Sequence, residues 1–123
     1  MTLSDDVYDV LAPIVTIGGP AAPRVYRRSL PQPYTLPALT FYRVDTVFEY
    51  AHDGDSELIH PRYQVSCWAT TQDAAEKLAR EVQQKMDAWA GGAALPQDQN
   101  DLTDPETGVH QVVIDFVLWW KVT

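Results

Sequence analysis

Cysteine is nearly absent from this chain of 123 residues, in which Cys67 is the only one. A single cysteine excludes an intramolecular disulfide and any metal site built from several thiolates. Long apolar runs are missing as well, since none approaches the roughly 20 residues that a membrane-spanning helix needs. The first ten residues, MTLSDDVYDV, contain three acids and no base, which is not the pattern of a secretory signal. We therefore expect no contact with a membrane.

Basic residues are scarce, with 9 Lys and Arg against 17 Asp and Glu, and the formal net charge is −8. Such a chain repels phosphate backbones, so we expect no sequence-specific binding of nucleic acid. The hydrophobic fraction of 46% is that of an ordinary globular protein. The length fits one domain over residues 1–123.

Motifs for catalysis are also missing. There is no G-x-S-x-G, phosphate-binding loop or G-x-G-x-x-G pattern, and the three histidines lack the spacing of metal ligands. Cys67 alternates in phase with Tyr63 and Val65, so we expect a buried thiol rather than a nucleophile. The acidic segment 97–108 fails the register of a calcium-binding EF-hand loop. We predict no catalytic residue, no cofactor and no metal.

The charges that are present are segregated along the chain. Residues 24–43 contain four arginines and no acid, whereas residues 45–57 contain five acids and no base. Blocks of opposite sign can attract each other within a monomer or between copies. The members that we expect at a subunit interface are Arg24, Arg27, Arg28, Asp53, Asp55 and Glu57. Arg43 is left out, because it lies inside a predicted strand where a cross-strand acid is expected to hold it.

Apolar periodicity predicts two helices. The first begins after the N-cap Ser4 and ends near Pro13. The second covers 73–89, with Thr70 and Asp73 resembling a capping box. Its apolar stripe consists of Ala75, Leu78, Ala79, Val82, Met86 and Trp89.

Alternating patterns predict the strands. A short strand is expected at 24–28, and a proline-rich connector follows it. In 38–50 the even positions, including Tyr42 and Val44, are apolar, and 62–69 alternates in the same way. The Asp-Gly pair between them is a hairpin turn signal. At about 3.3 Å per residue a straight strand ending at residue 50 spans roughly 46 Å, which exceeds a domain diameter of about 35 Å, so the acidic tip is expected to project.

The C-terminal part is predicted to be a polar surface loop at 93–107 followed by a strand at 109–122. The even positions of that strand are apolar, so Trp119 and Trp120 point to opposite faces. We expect Trp119 to be an interface anchor, with core packing as the alternative. The predicted fold is α+β: an antiparallel-rich mixed sheet with a long projecting β-hairpin and two helices packed on one face.

Taken together, these segments resemble the small tail-completion or tail-terminator family of long-tailed phages and related prophage particles. The resemblance covers nearly the whole chain and rests on the order and spacing of its parts. The parts are R-V-Y at 24–26, L-P-A-L-T-F-Y at 36–42, R-Y-Q-V-S-C-W-A at 62–69, the alanine-rich helix, and D-P-E-T-G-V-H-Q-V-V-I-D-F-V-L-W at 104–119. The acidic tip at 51–57 is not part of the family's pattern.

This resemblance implies a structural role without catalytic residues. Family members form a ring, commonly hexameric, at the head-proximal end of the virion tail, after synthesis in the bacterial cytoplasm. The ring stops polymerisation of the tail tube protein and docks to the head–tail connector protein, with DNA passing through its lumen. The implied partners are therefore further copies of this chain, the tube protein and the connector. The resemblance does not distinguish a phage from a prophage or a gene transfer agent.

Two other interpretations stay open on the sequence alone. The first is a head–tail joining subunit of the connector, another ring component of similar size. The second belongs to a different class: a small enzyme or ligand-binding domain with a pocket between helix and sheet. An enzyme should place polar groups at core-facing positions, whereas here those positions are aliphatic and aromatic.

Overall fold

The computed structural model of the protein describes residues 3–19, 21–50, 57–89 and 93–122. Within these ranges two helices and five strands make up the fold, which confirms the α+β class. In chain order they are α1 (Leu3–Leu11), a 3-10 turn (Val15–Ile17), β1 (Val25–Arg27), β2 (Ala38–Tyr50), β3 (Glu57–Ala69), α2 (Gln72–Asp87), β4 (Ala93–Thr103) and β5 (His110–Val122).

The strands form one sheet in the order β1-β2-β3-β5-β4. The short β1 runs parallel to β2, and every other neighbouring pair is antiparallel. The predicted antiparallel-rich mixed sheet is therefore confirmed. β3 and β5 are its central strands, which leaves β1 with the adjoining part of β2 at one edge and β4 at the other.

The core lies on one face of the two central strands. Successive side chains of a strand point to opposite faces, so every second residue faces the helices. On β5 the predicted even positions from Val112 to Leu118 are buried, and on β3 the predicted odd positions Tyr63, Val65 and Cys67 are buried. The inward-facing residues are Tyr63, Val65, Cys67, Val112, Ile114, Phe116 and Leu118.

Helix α2 covers this face with the predicted apolar stripe, and all six stripe residues are buried. Its N-cap is Thr71, whose Oγ1 accepts a hydrogen bond from the Ala74 amide at 3.1 Å. The predicted cap at Thr70 is wrong by one residue, because the extended backbone at Thr71 aims its hydroxyl at the first helical turn. Asp73 lies in that turn, where the helix dipole favours an acid.

Helix α1 packs beside α2 on the same face, as predicted. Val7 and Leu11 enter the shared core. The Ser4 hydroxyl lies 2.8 Å from the Tyr63 hydroxyl, and Thr16 donates to the Glu81 carboxylate of α2 at 2.8 Å. The opposite face of the sheet has no helix over it within the described ranges.

Of the segment predicted as a loop at 93–107, residues 93–103 form instead the edge strand β4, which pairs with β5 from Ala93↔Trp119 to Thr103↔His110, and residues 104–107 lie in the turn after it. The prediction was wrong because β4 lacks apolar alternation. Ala94 is buried, but every side chain from Leu95 to Thr103 is exposed, whichever face of the sheet it lies on. Backbone pairing with the long strand β5 holds it in place. Gln97 is an extra residue there, since the register shifts between Pro96 and Asp98.

Strand β2 contains a bulge that the sequence pattern did not predict. Its register against β3 shifts between Arg43 and Asp45, so Val44 is the extra residue. Before the bulge the core-facing side chains are Leu39 and Phe41 rather than the even positions, and Val44 is exposed. Arg43 and Asp45 consequently lie on opposite faces of the sheet.

Strands β2 and β3 pair from Ala38↔Trp68 to Tyr50↔Glu57. The predicted turn between them, with Asp53 and Asp55, lies outside the described residues. Strand β5 accompanies β3 to the rung Glu57↔Val122, so three strands reach this end of the sheet. Projection of the tip beyond the body stays a prediction.

No helix among the described residues is long and apolar enough to cross a membrane.

Truncation of a central core residue tests this packing. Phe116 is 1% exposed beneath the helices, so Phe116→Ala should lower the free energy of unfolding by about 3–5 kcal/mol. Leu102→Ala on the exposed edge strand is the matched control and should change it by less than about 0.5 kcal/mol. Urea denaturation of both variants measures the difference. A loss below about 1 kcal/mol for Phe116→Ala would mean that the helices cover another face.

Candidate functional site

Three arginines surround one groove at the β1–β2 edge of the sheet. The groove, of about 280 Å³, is lined by Ser4, Arg27, Arg28, Phe41, Tyr42 and Arg43. We refer to it as the arginine groove. In a chain of net charge −8 it is a local concentration of positive charge, and it suits an anionic partner better than an apolar one.

Arg28 has an unusual backbone for its residue type. Its φ is 77°, in the left-handed region that glycine adopts without cost and other residues adopt at roughly 1–2 kcal/mol. Its amide donates to the Phe41 carbonyl at 2.9 Å, which extends the pairing of β1 with β2 by one residue. Its side chain is exposed and has no hydrogen-bond or ion-pair partner among the described residues.

Arg43 was excluded from the predicted interface, and the structure removes the reason for that exclusion. Its cross-strand neighbour is Tyr63, not an acid. The bulge at Val44 turns Asp45 to the other face, where its carboxylate receives Arg62 Nε at 2.7 Å and Arg62 Nη2 at 2.5 Å. The Arg43 guanidinium is exposed, and the described part of the chain offers it no partner.

The remaining predicted arginines are tied to their own monomer. Arg24 donates from Nε to the Pro37 carbonyl at 2.8 Å and from Nη2 to the Thr16 carbonyl at 3.3 Å. It therefore ties the 3-10 turn to the start of β2. Arg27 forms an exposed ion pair with Asp5 of α1. Of the predicted cluster, Arg27 and Arg28 line the arginine groove and Arg24 does not.

The acids expected to face these arginines are only partly described. Asp53 and Asp55 lie outside the described residues, and Glu57 begins β3, opposite Tyr50 and Val122. A contact of the groove with the acidic tip thus stays a prediction.

A second set of acids lies on the far edge of the sheet. Asp98, Asp101, Asp104 and Glu106 follow β4 into the β4–β5 turn, and no Lys or Arg occurs from residue 93 to residue 120. We refer to these four residues as the acidic edge. All four side chains are exposed, and none forms an ion pair within the described ranges.

The turn at the end of the acidic edge is ordered by Asp104. Its Oδ1 accepts hydrogen bonds from the amides of Glu106 at 2.9 Å and Thr107 at 3.4 Å. These amides stabilise the charged carboxylate and hold the pKa of Asp104 below its ordinary value. Gly108, at φ 73°, completes the turn and donates its amide to the Asp104 carbonyl.

Trp119 lies on the sheet face opposite the helices. Its side chain is 46% exposed, and its ring makes an edge contact with His60 at a centroid distance of 4.2 Å. Register places Leu95, across from Val117, on this same face. An exposed tryptophan beside exposed leucine is the composition of an interface anchor, so the geometry agrees with the predicted role without testing it.

Polar pairs hold the rest of that face in order. Trp68 Nε1 donates to Thr40 Oγ1 at 2.9 Å, and Gln111 Nε2 donates to Ser66 Oγ at 2.9 Å. On the same face, next to the bulge in β2, the Arg62 guanidinium lowers the pKa of the Asp45 carboxyl by hydrogen bonding to it. Side-chain hydrogen bonds therefore order this face of the sheet.

Catalytic chemistry gains no support from the described side chains. The Cys67 thiol is buried, and burial raises its pKa far above the ordinary range, so it is an inert core residue as predicted. His60 is 8% exposed and packs on Trp119, a burial that the sequence did not predict. Among the described residues, no group of three or more His, Cys, Asp and Glu side chains is arranged to hold a metal.

Comparison with known proteins gives one family and one fold. A family model described as tail completion protein gp17 matches residues 5–121. Among solved structures, a chain of the virion of a native gene transfer agent particle superposes with a TM-score of 0.67 and 14% sequence identity. That alignment covers 98% of this chain and 95% of the other. No curated protein sequence matches significantly.

The contrast between Arg24 and Arg28 yields a stability prediction. Arg24→Ala removes two hydrogen bonds to backbone carbonyls and should lower the free energy of unfolding by about 1–3 kcal/mol. Arg28→Ala removes no described side-chain bond and should change it by less than about 0.5 kcal/mol. Chemical denaturation of the two variants measures both changes in the free energy of unfolding. Equal stabilities would show that Arg24 does not tie the turn to β2.

The Asp104 turn yields a pH prediction. Because the folded-state pKa of Asp104 is depressed, its contribution to stability is present above the unfolded-state pKa and is lost as pH falls through the folded-state pKa. Asp104→Ala should therefore lower the Tm at about pH 7, and its difference from the parent should shrink toward about pH 2. Asp104→Asn, which keeps an acceptor oxygen, should retain part of the stability. A difference independent of pH would contradict this assignment.

Proposed function

Because this chain belongs to the tail completion protein gp17 family, we propose that it assembles into a ring, hexameric in the simplest case, that ends the tail tube and joins it to the head connector. The chain is a structural protein of phage-type tails. The proposal adds to this the ring, the capping of the tube at its head-proximal end, and action by assembly rather than by catalysis.

The observation that carries the proposal is the extent of the family match. Residues 5–121 reach from the first helix into the last strand, so the match includes both helices and all five strands. The whole fold is then the assembling unit. No part of the described chain is left over for a separate catalytic or ligand-binding domain.

The distribution of surface chemistry supports assembly. Of the large hydrophobic side chains that are exposed in the described ranges, Leu95, Leu102 and Trp119 lie on the face opposite the helices. The two edges of the sheet carry charges of opposite sign, with arginines at the β1–β2 edge and acids along β4. In the proposed particle the face with Trp119 contacts a neighbouring tail protein, while the edges contact further copies of this chain.

The same charge distribution suits a pore for DNA. A ring of subunits with net charge −8 repels the phosphates of DNA in its lumen, so the DNA passes without being retained. The ring is assembled in the host cytoplasm and remains at the head-proximal end of the finished tail.

Removal of the protein from the assembling particle tests the capping role. Without a terminator, tube polymerisation has no stop at the head-proximal end, so tubes should exceed their regulated length and remain detached from heads. Negative-stain electron microscopy measures both quantities, and complementation with the parent chain restores them. Tails of normal length joined to heads in the absence of this protein would contradict the proposal, as would its absence from purified tails.

A Trp119 variant tests the anchor. Trp119→Ala should reduce the yield of joined particles at least tenfold or so, because truncation of a central aromatic anchor costs about 2 kcal/mol or more. Val15→Ala, at an 82% exposed valine in the 3-10 turn, is the control and should assemble normally. Melting of the purified variants shows whether the His60 contact also stabilises the monomer. Normal joining by folded Trp119→Ala removes this residue from the interface.

A further inference from the structure

The two edges of the sheet carry opposite charge at the same position along the strand axis, which we refer to as height. The arginine groove lies at the β1–β2 edge, and the acidic edge lies along β4, with the three strands β2, β3 and β5 between them. We propose that the acidic edge of one copy docks into the arginine groove of the next copy, through Arg28 and Arg43 against Asp98 and Asp101. This inference rests on the proposed ring and identifies the surfaces that would form it.

The heights follow from the register of the paired strands. Two rungs cross the sheet from the groove to β4: Arg27–Phe41–Val65–Ile114–Gln99 and Arg43–Tyr63–Phe116–Pro96. Asp98 lies between Pro96 and Gln99, so it is level with the groove. Asp101 is level with Leu39, two residues above Phe41. A neighbour placed beside the groove without an axial shift therefore brings its acids to the height of the arginines.

The residues that we assign to each side of the contact are those whose charge has no partner of opposite sign among the described residues. Arg27 is paired with Asp5, whereas Arg28 and Arg43 have no side-chain partner in the described part of the chain. On β4, Asp98 bonds only to the Gln99 amide and to Asn100, and Asp101 accepts from Gln72. None of these bonds supplies a cation, so the carboxylates remain available for one.

The backbone of Arg28 supports a role for its side chain. At φ 77° glycine would be favoured, so an arginine there stores strain that the fold itself does not require. Arg28→Gly should consequently leave the melting temperature unchanged or raise it while weakening assembly. A residue that served only the fold would show the opposite pattern.

Strand direction and symmetry are compatible with this contact. β2 and β4 run in opposite directions within one monomer, so copies related by rotation about an axis along the strands place β4 antiparallel to β2 of the neighbour. The two surfaces differ, which makes the contact head-to-tail. Head-to-tail contacts close into a ring when the rotation between neighbours divides a full turn and carries no axial shift, and otherwise they give a helical filament.

Charge reversal on each edge tests the docking. Arg28→Glu/Arg43→Glu and, separately, Asp98→Lys/Asp101→Lys should each weaken self-association about a hundredfold or more, because like charges then face each other. Sedimentation at high protein concentration and incorporation into tails measure the effect, and circular dichroism verifies that each variant is folded. Arg80→Glu/Lys85→Glu on the exposed side of α2 is the matched control and should associate normally.

Mixing the variants distinguishes this contact from others. In an equimolar mixture the glutamate groove of one variant faces the lysine edge of the other, and the native arginine groove faces the native acidic edge. Alternating rings with an even number of subunits should therefore form from two chains that each fail alone. The variant with all four substitutions should also assemble.

Two results would overturn the docking while leaving the proposed function intact. One is normal incorporation of the folded Arg28→Glu/Arg43→Glu variant into tails. The other is rescue of that variant by Asp53→Lys/Asp55→Lys but not by the β4 reversal, which would assign the groove to the acidic tip. Failure of the proposed function looks different, because the parent chain itself would then be absent from tails.

Discussion

The alternation of the two central strands determines most of this structure. On the rungs Val65↔Ile114 and Cys67↔Val112 both side chains point toward the helices, and α2 buries its stripe against them. A register slip of one residue would turn the whole apolar set toward solvent, so burial specifies the pairing strongly. With one face covered by both helices, the other face and the two edges remain as surfaces for partners.

Apolar periodicity predicted the helix and the strands whose side chains form this buried face. Helix α2 and strands β3 and β5 follow from the sequence because their apolar positions recur at the spacing of one buried face. The edge strand β4 was not predictable in this way, because its side chains are exposed on both faces and its position depends on backbone pairing with β5. The N-cap of α2 was predicted one residue early, at Thr70. The sequence offers two adjacent threonines, and the backbone conformation decides for Thr71.

The candidate site was predictable in composition but not in detail. Segregated charge along the chain indicated a cluster of arginines, of which Arg27 and Arg28 line the groove. It could not distinguish Arg24, which donates to backbone carbonyls of the same chain, from Arg28, whose side chain has no partner among the described residues. The bulge at Val44 decides the rest, because it sends Asp45 to Arg62 on one face and leaves Arg43 on the other. Such a one-residue insertion depends on strand pairing, and the sequence analysis did not predict it.

Folding and assembly thus draw on different residues. Apolar burial and the Arg24 bonds stabilise the monomer, whereas the charges of Arg28, Arg43, Asp98 and Asp101 contribute little to it, as exposed charges generally do. In the proposed ring, this separation leaves the fold of each copy independent of the contacts that join it to its neighbours. In the proposed contact, the two surfaces are complementary only when one copy meets the next.

Disulfide trapping between copies tests this account most directly. Arg28→Cys/Asp98→Cys in one chain should give a ladder of covalent multimers that ends at the closed ring, when assembled tails are oxidised. Each single variant should give dimers at most, and the native Cys67 should not react, because it is buried. A double variant that remains monomeric in assembled tails, or that links no better than either single variant, would contradict the account.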